Sequence, residues 1–307
     1  MQLSVVTSLY RSAGQLREFH RRAGDAARAL GGDYEIILVD DGSPDDSLQI
    51  ALELQRGDPH TVVVGLSRNF GHHRAVLTGV AHARGERVFL LDCDLEEPPE
   101  LLATFAACMD AEGCDMVYGV QQQRKGGWFE RVTGDLYYRA FNLLSGTRVP
   151  NNIVTARLVS RRLVDAVLQY GEQVTWMDGL FALAGFRQVG LPVVKGSKGE
   201  SSYTLRRKLK MSVDSVTDFS ELPLHLIFYA GLAISAVSGL YISWLLVQKL
   251  FFGISVDGWT SVIVSVWFLG GITILFLGVI GIYLSKIFVE TKRRPRAVVR
   301  EVHRHDR

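Results

Sequence analysis

Residues 1–203 read as an α/β domain with a mainly parallel sheet and helices on both faces. An amphipathic interface helix and two C-terminal transmembrane helices follow. Two observations carry this reading. Short β-branched runs alternate with stretches whose apolar residues recur every three or four positions, the mark of repeated strand–helix units. The 307 residues are also 48% hydrophobic yet 21% charged, with a positive mean hydropathy of +0.14. Those values fit together if the apolar residues are concentrated in one region. Residues 222–248 hold no Asp, Glu, Lys or Arg over 27 positions, and residues 258–285 none over 28. About 20 apolar residues in a helix cross a bilayer core.

Strands are predicted at 3–9, 34–39, 61–66, 87–92 and 115–120. Between the first two, Leu16, Phe19, Ala23, Ala27 and Leu30 mark one helix face. Ser43-Pro44-Asp45-Asp46 reads as a helix start, with Ser at the cap and acids near the positive dipole end. Another helix is expected to begin near Pro98-Pro99 and run to about Ala111. In such sheets ligands bind beyond the carboxyl ends of the strands. Residues 121–200, richer in Gly, Arg and Gln, are expected to supply acceptor-side elements and loops. The whole of residues 1–203 is assigned to this domain.

Leu205, Leu209, Val213, Val216 and Phe219 then share a helix face, flanked by Arg206, Arg207, Lys208 and Lys210. A surface helix gives the same stripe, but its place just before a span favours a helix lying in the membrane interface over 204–221. The spans are predicted at about 223–247 and 261–284. The tail, 286–307, contains eight basic residues, whereas the loop between the spans has one lysine. The positive-inside rule therefore predicts a multi-pass protein of the cell membrane, with tail and N-terminal domain in the cytoplasm. Gly231, Ser235 and Gly239 form a small-residue ladder suited to pairing the spans or joining protomers, so a homo-oligomer is allowed. The run 3–9 is too short, and lacks the basic lead, for a signal peptide.

Residues 1–220 carry 25 basic and 27 acidic residues, 25 − 27 = −2. Nucleic-acid binding, which needs a basic surface to neutralise phosphates, is disfavoured. Three cysteines, an odd number without CxxC spacing, argue against a disulfide framework or a zinc finger.

Two motifs leave strand ends. Asp40-Asp41-Gly42-Ser43 places carboxylates where a nucleobase N–H or ribose hydroxyls can donate to them, with Gly42 allowing a tight turn. Asp92-Cys93-Asp94 puts two carboxylates where they can share Mg²⁺ or Mn²⁺ and so neutralise a departing diphosphate. Glu96 and Glu97 follow. Four acids within six residues would repel one another without a cation. His72 and His73 are adjacent and point in different directions from a helix start, so they suit a surface or pocket role better than metal ligation. Trp128, Phe129, Trp176 and Phe181 suit core packing better than an acceptor groove.

Together, DDGS, RNFG (Arg68 to Gly71) with Ala75 and Gly79 after it, and DCDLEEPPE (Asp92 to Glu100) resemble the family 2 glycosyltransferases of GT-A fold. Within them the chain resembles the polyprenyl-phosphate branch, similar to dolichol-phosphate mannose synthase. Gly199-Glu200-Ser201-Ser202-Tyr203 before the basic helix, and two C-terminal spans, fit the same branch. The resemblance covers essentially the whole chain. It implies transfer of a sugar from a nucleotide donor, UDP by default, to a polyprenyl phosphate such as undecaprenyl phosphate. That reaction would make a lipid-linked sugar at the cytoplasmic membrane face for cell-envelope glycan or its modification. By family role, Asp40 and Asp41 would hold nucleobase and ribose, with Arg68, Asn69 and Gly71 also on the donor. Asp92 and Asp94 would be catalytic, managing the metal–diphosphate, and Glu96 stands where a Gln ligand is usual. Arg124, Lys125, Arg206 and Arg207 are candidates for the lipid phosphate or donor diphosphate.

Departures are visible. The branch's opening Pro-x-Tyr-Asn is Ser8-Leu9-Tyr10-Arg11 here, and a segment often reading Gly-Asp-Phe-Arg-Leu is Val154-Thr155-Ala156-Arg157-Leu158. The acid proposed as base in some relatives is thus Thr155. A non-catalytic membrane scaffold with a degenerate nucleotide-sugar domain is one rival reading. A processive polysaccharide synthase is another, but none of the five tryptophans follows an arginine and only two spans are present. No GxGxxG follows the first strand, which disfavours a nicotinamide enzyme. A phosphatase of the DxD-nucleophile type would carry that motif after its first strand.

Overall fold

The computed structural model describes residues 1–121, 152–172, 177–194, 221–252 and 258–305. They fall in two compact units, the second carrying the two long C-terminal helices. In the first unit the order is β1 (Leu3–Leu9), α1 (Leu16–Leu30), β2 (Tyr34–Asp40), α2 (Ser47–Gly57), β3 (Thr61–Leu66), α3 (His72–His82), β4 (Arg87–Leu90), α4 (Leu101–Glu112) and β5 (Met116–Gln121). After these come β6 (Ile153–Ser160), α5 (Arg161–Gln169), α6 (Met177–Leu183) and β7 (Gln188–Val193).

One sheet runs β7-β5-β6-β4-β1-β2-β3-β8, where β8 is Val299–His303. Strands β4, β1, β2 and β3 are mutually parallel, as are β5 and β7. β6 runs antiparallel between β4 and β5, and β8 antiparallel along β3. Every residue of β2 and β3 is buried, which is why the central strands read as near-continuous apolar runs rather than alternating ones.

Two cores form, one on each face. Phe19 and Leu16 from α1, Ala51 from α2 and Phe105 from α4 pack on Val5, Leu9, Leu38 and Phe89, with Phe89 and Phe105 edge to face at 6.1 Å. On the other face Ala75, Val76 and Val80 of α3, Leu163 and Val167 of α5, and Leu180 and Phe181 of α6 cover Val6, Ile37, Val39 and Val88. Each fully buried Leu, Val or Phe stabilises by about 1.5–3 kcal/mol. α3 lies so close to the sheet that a Cβ at Gly79 would meet Val6 Cγ1 at 2.5 Å and Val39 Cγ2 at 2.8 Å. This explains the small residue on that helix face.

Three local expectations differ. Ser43 does not cap a helix: its N–H points to the Asp40 carboxylate (3.3 and 3.4 Å) and its hydroxyl donates to Leu9 O at 3.2 Å. α2 therefore starts four residues later, where Asp45 accepts from the Ser47 hydroxyl at 2.6 Å. β4 ends at Leu90 rather than Asp92, so the acidic motif leaves the sheet. The third difference concerns the basic tail, which carries β8 and lays a final strand on the β3 edge.

The second unit holds α7 (Leu222–Phe252) and α8 (Trp259–Thr291). Both contain stretches long and apolar enough to cross a membrane, Leu222–Tyr241 and Ser265–Thr291. Large apolar side chains such as Phe228, Leu240 and Trp267 are exposed. Among the described residues, a Cβ at Gly231 or Gly239 would meet nothing within 4 Å.

Candidate active site

The loops after β1, β2, β3 and β4 open on one cleft of about 580 Å³, lined by Ser8, Tyr10, Ser12, Asp41, Asn69, Gly71, His72, His73, Asp92, Cys93, Asp94 and Thr155. It lies at the carboxyl ends of the parallel strands, where such sheets bind ligands. On one side, DDGS and RNFG are a single piece of structure. Asp41 accepts Phe70 N–H at 2.7 Å and Gly71 N–H at 2.9 Å through its two oxygens, while its own N–H extends β1 by donating to Leu9 O at 2.9 Å. Gly42 has φ +62°, and a Cβ there would sit 2.6 Å from the Arg68 carbonyl carbon. Only glycine lets the two turns touch.

Burial pushes the Asp40 and Asp41 carboxyls above the ordinary carboxylate range, opposed at Asp41 by the Phe70 and Gly71 N–H groups. Asp41, Asn69 and Gly71 line the cleft; Asp40 is buried behind it on Ser43. Arg68 is exposed, donates to Asn69 O at 3.0 Å and stacks its guanidinium 4.1 Å from the Phe70 ring, away from the cleft lining.

On the other side Asp92 and Asp94 both line the cleft. Asp92 Oδ2 accepts the Thr155 hydroxyl at 2.8 Å, and its Oδ1 lies 3.6 Å from His72 Nε2. The other nitrogen of His72, Nδ1, is 2.8 Å from the Ser8 hydroxyl. Asp94 Oδ1 accepts Glu96 N–H at 3.0 Å, a turn made with Leu95 in the left-handed region at φ +61°, which is uncommon for a branched side chain. Glu96 itself does not line the cleft. Glu97, 1% exposed, turns inward instead and accepts Thr155 N–H at 3.3 Å and Ala156 N–H at 2.6 Å. His73 has its pKa pushed down to about 4, first by desolvation and then by His72 beside it, so it is neutral at pH 7.

The donor set fits a hard cation: two carboxylates on one loop, facing a space large enough for a diphosphate. Among the described residues no group of three or more His, Cys, Asp or Glu forms a ready cage. Mg²⁺ needs none, since it binds through one or two carboxylates and completes its shell with water and phosphate oxygens. Arg124, Lys125, Arg206, Arg207, Trp128, Phe129, Trp176, residues 199–203 and all but the last position of the interface helix expected over 204–221 lie outside the described residues. Phe181 belongs to the core, with the Arg157 guanidinium 5.5 Å from its ring.

A family model described as "Glycosyl transferase family 2" matches residues 4–168, more than half of the chain. The chain belongs to glycosyltransferase family 2. The enzyme is 45% identical over 306 residues to a Mycobacterium tuberculosis (strain CDC 1551 / Oshkosh) protein named by class as a glycosyltransferase, covering 100% of this chain and 90% of that one. It is 34% identical over 304 residues to the glycosyltransferase YkcC of Bacillus subtilis (strain 168), covering 98% and 94%. It is also 29% identical over 307 residues to the SfII prophage-derived bactoprenol glucosyl transferase of Shigella flexneri, covering 99% of each. The glycosyltransferase thus has the GT-A domain that the DDGS and DCD motifs announce. His72 and His73, expected at the surface or in the pocket rather than on a metal, both line the cleft, while Glu97 carries a role that the acidic motif does not single out. Adjacency argued against a shared metal but was silent on whether each ring faces the cleft, and nothing local marks Glu97 as the buried acid among four.

Proposed function

We propose that this glycosyltransferase moves a sugar from a nucleotide-sugar donor to a polyprenyl phosphate at the cytoplasmic membrane face. The reaction inverts the anomeric centre and depends on Mg²⁺ or Mn²⁺. The observation that carries the reading is the single cleft shared by the Asp41-held turn and the Asp92–Asp94 loop. The bactoprenol-named relative, alike over its full length, and the two apolar helices support the lipid acceptor.

Asn69 and Gly71 would face the nucleoside end of the donor and Asp92 with Asp94 the diphosphate. A bound divalent cation would supply positive charge against the leaving nucleotide. The lipid phosphate oxygen attacks the anomeric carbon as the bond from that carbon to the diphosphate oxygen breaks, and the nucleoside diphosphate leaves with the electron pair. Thr155 is no base. None is needed, because a phosphate monoester has a second pKa near 6 and its oxygen is already largely anionic at pH 7. Alignment and stabilisation of the leaving charge then dominate the rate.

The test uses purified protein in detergent with undecaprenyl phosphate, Mn²⁺ and a panel of nucleotide sugars, with mass spectrometry of the lipid. A glycosylated lipid phosphate is expected, abolished by EDTA and lowered about 10²–10³-fold in kcat by Asp94→Asn. Full turnover by Asp94→Asn overturns the mechanism; absence of both transfer and nucleotide binding favours the scaffold reading.

A further inference from the structure

We propose that Thr155 is a positioning residue, whose hydroxyl orients the Asp92 carboxylate so that the Asp92–Asp94 pair meets a divalent cation and the donor diphosphate in one fixed geometry. This rests on the proposed donor site and adds a role for a residue outside the acidic motif.

Strand register places the two side chains together. β4 and β6 are antiparallel, with Arg87 opposite Ser160 and Leu90 opposite Arg157. β4 ends at Leu90 while β6 runs on past Thr155, so counting two residues beyond the last pair sets Asp92 beside Thr155. Side chains of directly opposed residues lie within reach of each other, and the Thr155 hydroxyl indeed donates to Asp92 Oδ2 at 2.8 Å. A slip of one residue would present Val154 or Ala156, neither of which can donate.

Two charged side chains, Glu97 and Arg157, fix the backbone at this point. The buried Glu97 carboxylate takes the N–H groups of Thr155 and Ala156, tying the acidic loop back to β6. Arg157, 5% exposed, donates to the Thr155 and Val154 carbonyls at 3.1 and 3.2 Å, and its guanidinium pairs with Asp178 at 2.7 Å. Ala156 is fully buried. The backbone carrying the hydroxyl is therefore fixed on both sides of the strand.

The chemistry follows from hydroxyl properties. A threonine hydroxyl at neutral pH donates to a carboxylate but does not remove a proton from an acceptor. With Oδ2 bound to Thr155, rotation of the carboxylate is restricted and Oδ1 is kept on the His72 side of the cleft, where Nε2 stands at 3.6 Å. Groups that hold a metal-binding carboxylate in this way change metal affinity or turnover by about 10–100-fold when removed.

The full-length protein and its Thr155→Val and Thr155→Ser variants are titrated with Mn²⁺ in the presence of UDP, following the free-Mn²⁺ EPR signal. Thermal midpoint and lipid-transfer kinetics are measured alongside. Thr155→Val, of nearly the same shape, is expected to weaken Mn²⁺ binding about 10-fold or more. It should lower kcat with little change in KM for the lipid phosphate and leave the thermal midpoint in place; Thr155→Ser should restore binding to near the wild-type value. If Thr155→Val does not fold, Thr155→Ala makes the same comparison, since it keeps the backbone N–H that Glu97 holds. Wild-type Mn²⁺ affinity and kcat in the hydroxyl-free variant overturn the proposal. Wild-type protein that binds no Mn²⁺ with UDP overturns the donor-site reading and the tether together. Transfer to some acceptor other than a lipid phosphate overturns only the acceptor, and the Mn²⁺ titration still decides Thr155.

Discussion

At the scale of single residues the cleft shows how backbone demands and chemistry share the same motif. Asp41 was expected to meet ribose, and it does line the cleft, yet both of its oxygens also accept from the RNFG backbone. A short acidic motif states that carboxylates stand at a strand end; it does not state which of them the fold uses for its own turns. His73 shows the same division. Its pKa near 4 lies below the ordinary 6.5, so between those values the unfolded chain binds the proton that the folded chain rejects. Stability is then lost as pH falls from about 6.5 towards 4. His20, also lowered first by desolvation, acts with the same sign, whereas the raised carboxyls of Asp40 and Asp41 act with the opposite one. The informative quantity is therefore a difference. The drop in thermal midpoint between pH 7 and pH 4.5 should be smaller for His73→Gln than for wild type, and an equal drop would show that His73 is not the group concerned.

At the scale of elements, β1 to β5 were legible, the central parallel ones because they are buried on both faces and read as unbroken apolar runs. β6 and β7, inside the less regular stretch 121–200, were not read as strands, and neither was β8. Val299-Arg300-Glu301-Val302-His303 has two charged residues in five, and after a long apolar run the arginines of the tail read as a topology signal. What makes it a strand is the open β3 edge, with Val64 opposite Val302 and Val63 opposite His303. Its far end is anchored by Arg304, which donates to His82 O at 2.8 Å and pairs with Glu35 at 3.2 Å. Glu35, 2% exposed, also accepts from the Ser4 hydroxyl and the Arg84 N–H, both at 2.7 Å. Arg304→Met leaves that buried carboxylate one charged partner short, and we expect a loss of about 1.5–3 kcal/mol in denaturant unfolding. Adding Glu35→Gln should recover part of it, because the two side chains are coupled.

At the scale of the whole molecule, the chain leaves the GT-A unit, forms two long apolar helices and then returns to complete the same sheet. The helices are thus an insertion between β7 and β8 rather than an appendage at the end. A chain ending at residue 221 loses β8 and exposes the β3 edge. A chain in which residues 222–293 are replaced by a flexible linker keeps it, at a loop-closure cost that grows only slowly with length. The linked chain should show the higher thermal midpoint and the lower tendency to aggregate in a soluble preparation, since an open edge invites pairing with other chains. Equal midpoints would mean that β8 adds nothing to the sheet.

The sequence by itself determined the α/β unit, the two apolar helices, and the strand-end motifs of a family 2 glycosyltransferase. Each of these is written in neighbouring residues: a burial pattern along a strand, an uninterrupted apolar run, a cluster of acids after a turn. Only the tertiary structure decided that Asp41 ties two motifs into one wall, that Glu97 is the acid turned inward, and that Thr155 stands opposite Asp92. It likewise decided that a basic tail is a strand. These depend on residues 29 to 63 positions apart, or more, meeting across the sheet. Strand register, which sets which side chains meet, follows from the burial of whole faces, and no local stretch of sequence records it.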